Sequence, residues 1–538
     1  MTETTQATDV LDVLVIGGGF SGIYQLDQLR DRGFNVKVWD AAGDFGGIWW
    51  WNCYPGARTD STGQIYQFSH KDLWKDFDFK ELYPGHEGVR EYFHYLDGKL
   101  DLRKDIEFNT FADTAKWDDE VNEWTVTSSD GKVARARQLI VATGFGSKPL
   151  YPNLKGLDTF AGEVHHTARW PQGGLDMTDK RVIVMGTGAS GVQCVQESAA
   201  VASQVTVFQR TPNLAIPMQQ RKLTPQDNDG FRENLPERFD TRLKAFAGFD
   251  FDFIPQNAVD VSEEERTATW EWMWAEGGFA LWLGNYQDLL VDEEASRLFY
   301  DFWRAKVHAR VHDPKVAEIL APEKWPHPWG PKRPSLEQNY FDVYNQDNVK
   351  LIDSNDEPIL EVVPEGVVTK NGLIEADILI LATGFDNNRG GIMAIDIEGV
   401  DGAKLAEKWS TRVDTHMGLS SSGFPNLLFL YGPQSPSGFC NGPTSAEGQG
   451  DMVVEFLTDL RDKGIQRFES TAEVEKEWTE HLDQLFAESM FPKAKSWYWG
   501  ANVPGKPAQM LNYCGGVPLY LEKWNERKQN NYAGYVFA

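Results

Sequence analysis

The sequence predicts an α/β protein with two Rossmann-like dinucleotide-binding domains and a helical insertion. Three observations support this fold class. A strand, a glycine-rich turn, a helix and a second strand follow one another twice along the chain. An apolar strand that ends in Ala-Thr-Gly also occurs twice, at 138–144 and 376–384. Between these signals, residues 223–330 are rich in Asp, Glu, Trp and Phe at helical spacing.

The composition is that of an ordinary soluble globular protein with several domains. The chain has 538 residues, with 52 Lys and Arg against 80 Asp and Glu, so its formal net charge is −28. Such a surface repels nucleic-acid phosphates and anionic lipid headgroups. No apolar run approaches the roughly 20 residues that cross a bilayer. We therefore expect no nucleic-acid partner and no membrane association.

The cysteines and the first residues indicate a cytoplasmic protein. The four cysteines include no C-x-x-C pair and are too few for a disulfide scaffold. Residues 1–9 have neither the basic nor the apolar region of a signal peptide. Free thiols in a reducing compartment are the simplest interpretation. Whether the chain is a monomer or a homo-oligomer stays open.

The first dinucleotide-binding unit begins with the apolar run 10–16, which predicts a buried strand. Residues 21–32 predict a helix, and residues 35–39 alternate like a second strand. Asp40, at the end of that strand, can accept hydrogen bonds from the ribose diol of FAD or NAD. The alternative is a glycine-rich turn without a ligand. The glycines that would bring a pyrophosphate onto the helix N-terminus are Gly17, Gly19 and Gly22.

The second unit repeats this pattern with one difference. Its strands are predicted at 181–185 and 204–208, with a helix at 190–200. The place of the ribose-binding acid is taken by Arg210, whose guanidinium can pair with the 2′-phosphate of NADPH. The alternative is a surface charge at a strand end. The glycines of this unit are Gly186, Gly188 and Gly191.

The order of these signals predicts five segments. Each Ala-Thr-Gly closes one dinucleotide-binding domain, and the buried-looking strand 426–431 returns the tail to the first domain. The segments are the first part of the FAD- or NAD-binding domain at 1–150, an NADPH-binding part at 151–222 that includes a linker at 151–175, a helical insertion at 223–330, a second NADPH-binding part at 331–384 and the second part of the first domain at 385–538.

Two further motifs identify a family. Residues 160–171 fit F-x-G-x-x-x-H-x-x-x-W-P, and residues 46–60 fit G-G-x-W-x-x-x-x-Y-P-G-x-x-x-D. The chain thereby resembles the Baeyer–Villiger monooxygenases, in the branch of the cyclohexanone and cyclopentanone enzymes, over nearly its whole length. The fixed positions of the first motif are Phe160, Gly162, His166, Trp170 and Pro171.

This resemblance implies an enzyme that uses FAD, NADPH and O₂ to convert ketones into esters or lactones. NADPH would reduce the flavin, and a C4a-peroxyflavin formed with O₂ would attack the ketone carbonyl. Two alternatives stay open: a flavin monooxygenase of sulfides or amines, and an NADPH–flavin reductase without oxygenation. A disulfide reductase is disfavoured because the chain lacks a redox-active cysteine pair.

The resemblance also implies a catalytic ion pair. The family's arginine lies in a Lys-Arg-Pro-like segment after the helical insertion, which here is 331–334. Arg333 would lie over the flavin, Asp60 would orient it, and Lys332 would help to hold the NADPH phosphate. A fixed cation keeps a peroxide deprotonated and stabilises a negatively charged adduct. The alternative is a structural Arg–Asp pair.

His166 indicates neither a metal site nor a general base. No second and third ligand are spaced near it, and Baeyer–Villiger chemistry needs no metal. By resemblance, its motif lies on the linker between the nucleotide domains, where His166 and Trp170 would set the linker's geometry. The neighbouring His165 is interpreted as an ordinary linker residue.

The remaining candidate residues surround the proposed cofactors. One of the three tryptophans at 49–51 is expected to pack on the flavin, and the sequence does not decide which. Phe279 and Phe439 are predicted walls of the substrate pocket, with core packing as the alternative. The predicted cofactor contacts, besides those already named, are Phe20, Gly47, Ile48, Trp49, Trp50, Trp51, Arg58, Tyr66, Thr187, Ala189, Ser190, Gln193, Thr211 and Trp497.

Overall fold

The protein is described by a computed structural model that covers residues 10–503, 505–506 and 508–538. Residues 1–9, where the sequence predicts no signal peptide, lie outside this part. Within it, none of the helices combines the length and the apolar character that a membrane span needs. Two large sheets, one for each glycine-rich unit, organise the fold.

The first sheet has eight strands, and its central strand, Leu11–Ile16, is covered on both faces. In its central strand, Val13 and Val15 pack in one hydrophobic cluster, while Leu14 and Ile16 pack in another. This alternation follows from the two-residue repeat of a strand. The strands, in order across the sheet, are Asp396–Glu398, Ala112–Asp118, Glu123–Ser128, Val133–Val141, Leu11–Ile16, Val36–Trp39 and Ile106–Glu107, and Leu427–Phe429 also pairs with Val133–Val141.

The second sheet has five strands, all parallel. Part of the predicted linker is its edge strand, Glu163–His166. The other four strands, in order from the opposite edge, are Val349–Asp353, Gln204–Gln209, Arg181–Met185 and Ile378–Leu381. The smaller sheets are Ile359–Val363 with Gly366–Thr369 and Gly372–Glu375, Ile216–Pro217 with Leu336–Glu337, and Phe468–Ser470 with Tyr535–Phe537.

Both glycine-rich turns depend on close approaches that only glycine permits. Gly17 and Gly186 have φ angles of 107° and 104°, which disfavour any side chain. A Cβ atom on Gly22 would lie 1.8 Å from the carbonyl oxygen of Gly17, and one on Gly191 would lie 2.1 Å from that of Gly186. The spacing G-x-G-x-x-G therefore lets each helix start directly against its strand.

The helices after the two turns begin and end within one residue of the prediction, at Phe20–Asp31 and Ala189–Val201. The insertion begins with a capping box, in which Thr224 and Asp227 bond each other's backbone N–H. The insertion helices are Pro225–Lys244, Glu263–Glu276, Ala280–Leu283, Glu293–Arg310 and Pro314–Leu320. The other α-helices are Ile48–Trp51, His86–Leu100, Leu405–Lys408, Gly442–Asp462, Ala472–Ala487 and Val517–Gln529.

The predicted fold class is thereby confirmed: two Rossmann-like units carry a helical insertion. The insertion leaves after Ile216–Pro217 and returns at Leu336–Glu337, and these two segments pair as parallel strands. This pairing brings the Lys-Arg-Pro segment, just before residue 336, back to the second unit. The segment boundaries at 150, 222, 330 and 384 stay predictions.

A buried ion pair fastens the insertion to the first unit. Arg242, on the first insertion helix, contacts Glu447 on helix Gly442–Asp462 and also donates to the carbonyl oxygens of Ile65 and Gln67 at 3.1 and 3.0 Å. Burial by itself would raise the pKa of Glu447, but the charge of Arg242 holds it below its usual range. Both side chains are almost fully inaccessible to water.

We expect Glu447→Ala to lower the free energy of unfolding by about 3–5 kcal/mol, because it leaves the Arg242 charge buried without its partner. Urea unfolding measures this change. Glu455→Ala on the same helix is the control, since its ion pair with Lys528 is solvent-exposed and should contribute at most about 1 kcal/mol. Equal losses in the two variants would contradict this interpretation.

Candidate active site

The first glycine-rich turn and the second predicted motif meet without any side chain between them. A Cβ atom on Gly47 would lie only 2.7 Å from the Cα atom of Gly19. Asp40 is buried beside this contact, and its carboxylate accepts hydrogen bonds from the backbone N–H groups of Gly18 and Ala42 at 2.5 and 2.7 Å. A bare backbone surface with a carboxylate at the strand end fits the pyrophosphate and ribose of FAD.

The helix Ile48–Trp51 presents its tryptophans in different directions. Trp49 donates its indole N–H to the Tyr66 hydroxyl at 3.2 Å and packs on the large core cluster. Trp50 lies under the guanidinium group of Arg90, 4.5 Å from its ring centroid, and Trp51 lies under that of Arg169 at 4.6 Å. Only Trp49 of the three therefore faces the interior beside the first turn, where Phe20 contacts Tyr66.

The second glycine-rich turn has two cations beside it. Arg210 and Thr211 line a cleft of about 690 Å³. Burial, followed by the charge of Arg210, lowers the pKa of Lys332 to about 8. In the described part of the chain, no carboxylate lies within 4.0 Å of either cationic group. Two cations without a paired anion fit the 2′-phosphate of NADPH.

Arg333 and Asp60 form a bidentate ion pair. The guanidinium Nε and Nη2 atoms donate to the two carboxylate oxygens at 2.8 Å each, and Nη1 donates to the carbonyl oxygen of Gly438 at 2.7 Å. The cation lies over the rings of Phe279 and Trp282, at 4.8 and 5.8 Å from their centroids. Burial by itself would lower the pKa of Arg333, but Asp60 raises it above its usual value. Arg333 is therefore a permanent cation.

An aromatic wall surrounds this cation. Phe439 contacts Trp282 and Tyr498, with ring centroids 6.3 and 4.2 Å apart. Trp497 stacks on Phe145 at 5.5 Å with an interplanar angle of 11°. Both predicted pocket residues, Phe279 and Phe439, thus lie in the shell around Arg333, and both are buried. Such a shell excludes water and strengthens the field of the cation.

The chain passes from one sheet to the other near Leu150 and again near Gly384. These two crossovers pair with each other, and His166 packs against both. The backbone N–H of Leu150 donates to the carbonyl oxygen of Gly384 at 2.9 Å. The buried His166 ring lies 5.0 Å from the Tyr151 ring and 6.1 Å from the Phe385 ring. The structure thus brings the motif histidine to the junction of the two units.

Two of the predicted cofactor contacts join the units to each other. The amide of Gln193 accepts a hydrogen bond from the Tyr54 hydroxyl at 2.7 Å and donates to the carbonyl oxygen of Arg58 at 3.3 Å. The guanidinium of Arg58 turns away, toward Glu81 and the carbonyl oxygen of Tyr83. The loop that leads to Asp60 is therefore tied to the helix of the second unit.

Sequence reasoning missed Gly438, Trp282 and Tyr498. Trp282 stands three residues after Phe279, and this helical spacing could have indicated a second aromatic side chain on the same face. Gly438 acts through its backbone carbonyl, for which the sequence carries no signal. Of the second turn, Thr187 bonds the carbonyl oxygen of Thr211 at 3.2 Å, and Ala189 and Ser190 begin the helix.

Comparison with known proteins finds relatives that match nearly the whole chain. The flavin-binding monooxygenase-like family matches residues 11–227. Cyclopentanone 1,2-monooxygenase of Comamonas sp. is 51% identical over 530 residues, which are 98% of this chain and 96% of that protein. A Baeyer–Villiger monooxygenase of Pseudooceanicola batsensis is 34% identical, over 99% of this chain and 98% of that one. The crystal structure of OTEMO with FAD and NADP matches with a TM-score of 0.95 at 35% identity, covering 99% of this chain and 100% of that one.

We expect NADP⁺ to bind more weakly above pH 8. In the enzyme without coenzyme, Lys332 then loses its proton, and the binding of NADP⁺ must restore it. The dissociation constant should rise by up to about tenfold per pH unit, while that of NAD⁺, which lacks the 2′-phosphate, stays level. Titration calorimetry between pH 7 and 10 measures both constants. Lys332→Arg should remove the pH dependence, and a parallel response of NAD⁺ would contradict this assignment.

His166 is expected to act without changing its protonation. Burial lowers its pKa to about 4, so the ring is neutral at any pH near 7. Its Nδ1 accepts a hydrogen bond from the backbone N–H of Ala168 at 3.0 Å. His166→Gln should therefore slow NADPH-dependent turnover without removing an ionisation from the pH–rate profile. Loss of an ionisation, with unchanged flavin reduction, would instead indicate a general base.

Proposed function

We propose, because this chain belongs to the Baeyer–Villiger monooxygenases, that it converts ketones into esters or lactones with FAD, NADPH and O₂. One oxygen atom of O₂ enters the carbon skeleton beside the carbonyl and the other leaves as water, while NADPH becomes NADP⁺. Bound FAD supplies the redox and oxygen chemistry. The ketone class follows from the names of the relatives, among which is a cyclopentanone 1,2-monooxygenase.

The observation that carries this proposal is the Asp60–Arg333 ion pair at the junction of the two units. Negative charge develops on the reacting oxygen atoms when a carbonyl is attacked, and a fixed cation stabilises it without reorganising. Arg333 keeps its proton because its pKa lies above the usual value of an arginine. Asp60 and the carbonyl oxygen of Gly438 hold the guanidinium plane in one orientation.

The residues around this pair divide the remaining tasks. The first turn, with Gly17, Gly19 and Asp40, would hold FAD, and Trp49 is the tryptophan that we propose packs against it. Arg210 and Lys332 would hold the 2′-phosphate of NADPH. The aromatic wall with Phe279, Trp282, Phe439 and Tyr498 would shape the ketone pocket and exclude water.

We also propose that the protein works in the cytoplasm. All four cysteines are free, and three of them are buried. Unpaired thiols are the rule in reducing compartments, where NADPH is also regenerated. The net charge of −28 argues against a nucleic-acid or anionic-membrane partner.

Product analysis tests the proposed reaction. The purified enzyme is supplied with NADPH, ¹⁸O₂ and a panel of cyclic, linear and bulky ketones, together with a sulfide and an amine. We expect esters or lactones that carry one ¹⁸O atom, detected by mass spectrometry. NADPH oxidation without a labelled product would indicate a reductase, and label confined to the sulfide or amine would indicate a heteroatom monooxygenase.

Arg333→Ala should separate NADPH oxidation from ester formation. Hydride transfer takes place before any peroxide or carbonyl adduct exists, so NADPH consumption should continue, with release of hydrogen peroxide. Ester formation should fall roughly 100- to 1,000-fold, the effect of losing one such charge-stabilising group. Parallel assays of NADPH, hydrogen peroxide and ester in the same reaction measure this uncoupling.

Two further variants control this experiment. Arg333→Lys should restore little activity, because an ammonium group cannot bind both Asp60 oxygens in one plane. Arg181→Ala removes another bidentate ion pair, in which Arg181 donates to the Asp377 carboxylate at 3.2 and 2.8 Å. This pair lies at the opposite end of the second sheet, so the variant should leave the coupling of NADPH oxidation to ester formation intact. Near wild-type ester formation by Arg333→Ala would mean that the proposed site is misplaced.

A further inference from the structure

Asn213 lies three residues after Arg210 and touches two parts of the proposed site at once. Its amide Nδ2 donates to the carbonyl oxygen of Thr187, in the second glycine-rich turn, at 2.8 Å, and to the hydroxyl of Ser335 at 2.7 Å. Its Oδ1 accepts from the backbone N–H of Ser335 at 3.3 Å. One side chain thereby joins the turn of the second unit to the segment that returns from the insertion.

That segment is short and stiff. Lys332 and Arg333 stand between Pro331 and Pro334, and each proline fixes its own φ angle and restricts the residue before it. Ser335 follows directly, and its carbonyl oxygen accepts from the backbone N–H of Ile216 at 2.9 Å. A displacement of Ser335 would therefore be transmitted to both cations rather than absorbed by the chain.

We propose that Asn213 is a positioning residue, which sets the places of Lys332 and Arg333 relative to the coenzyme-binding turn. This inference rests on the proposed function. Asp60 and Gly438 hold the Arg333 guanidinium from the side of the first unit, whereas Asn213 holds Ser335, two residues after Arg333, from the side of the second. The preference for the 2′-phosphate and the coupling of NADPH oxidation to ester formation therefore both depend on the hydrogen bonds of this one amide.

The proposal predicts a pattern that a merely structural residue would not produce. In Asn213→Ala, Lys332 should drift from the 2′-phosphate, so the dissociation constant of NADP⁺ should rise on the order of tenfold while that of NAD⁺ changes less than twofold. Arg333 should also lose its orientation, so the yield of hydrogen peroxide per NADPH should rise severalfold at the expense of ester. Asn213→Asp should not rescue either property, because a carboxylate cannot donate to the Thr187 carbonyl.

Asn348→Ala is the matched control. Asn348 is also a half-buried asparagine of the second unit, and its amide donates to the carbonyl oxygens of Ala199 and Ala202 at 3.2 and 3.0 Å. These contacts lie at the C-terminal end of the helix Ala189–Val201, away from the second glycine-rich turn and the Lys-Arg-Pro segment. The control should therefore reproduce any general loss of stability while leaving coenzyme preference and coupling unchanged.

The test combines calorimetry with NADP⁺, NAD⁺, 2′,5′-ADP and 5′-AMP, product analysis and thermal unfolding for the wild type and the three variants. Weaker binding of the phosphorylated ligands alone, together with increased peroxide, supports the proposal. Equal weakening of both ligand types, unchanged coupling, or the same changes in Asn348→Ala would overturn it. If the wild type itself forms no ester or does not prefer NADP⁺, then the proposed function has failed rather than the role of Asn213.

Discussion

The ion pair between Asp60 and Arg333 is the interaction on which the rest of the site depends. Its two members come from different units of the fold, and no local segment could bring them together. A buried ion pair contributes little net stability, because desolvation offsets the attraction, although breaking one side is costly. Its value here is positional: the cation has one orientation, and three hydrogen bonds define it.

Several tethers at the junction serve this geometry. Gln193 ties the loop before Asp60 to the second unit, and Asn213 ties the segment after Arg333 to the turn of that same unit. His166 packs where the two chain crossovers pair. The second glycine-rich turn and its helix are thus linked to the chain two residues before Asp60 and two residues after Arg333, next to the place that fits the coenzyme phosphates.

The electrostatics of the protein are opposite at its surface and at this junction. The chain carries a formal charge of −28, whereas the cations Arg210 and Lys332 lie together beside the second turn. An anionic coenzyme is repelled by most of the surface, and local cations must outweigh that field. The pKa of Lys332 is lowered first by its burial and then by the charge of Arg210, which is the cost of holding two cations together out of water.

The sequence by itself determined the fold class and the two glycine-rich turns, and its resemblance to a family indicated the two members of the ion pair. The glycine pattern can be recognised in the sequence because its steric requirements arise within six residues. A Cβ atom on Gly22, for example, would lie 1.8 Å from the carbonyl oxygen of Gly17. Tertiary structure alone decided which tryptophan faces the interior, because Arg90 and Arg169 come from distant segments to cover the other two. It also decided that Gly438 and Asn213 meet the Lys-Arg-Pro segment, since a backbone carbonyl and a single amide acquire such roles only when remote parts of the chain pack together.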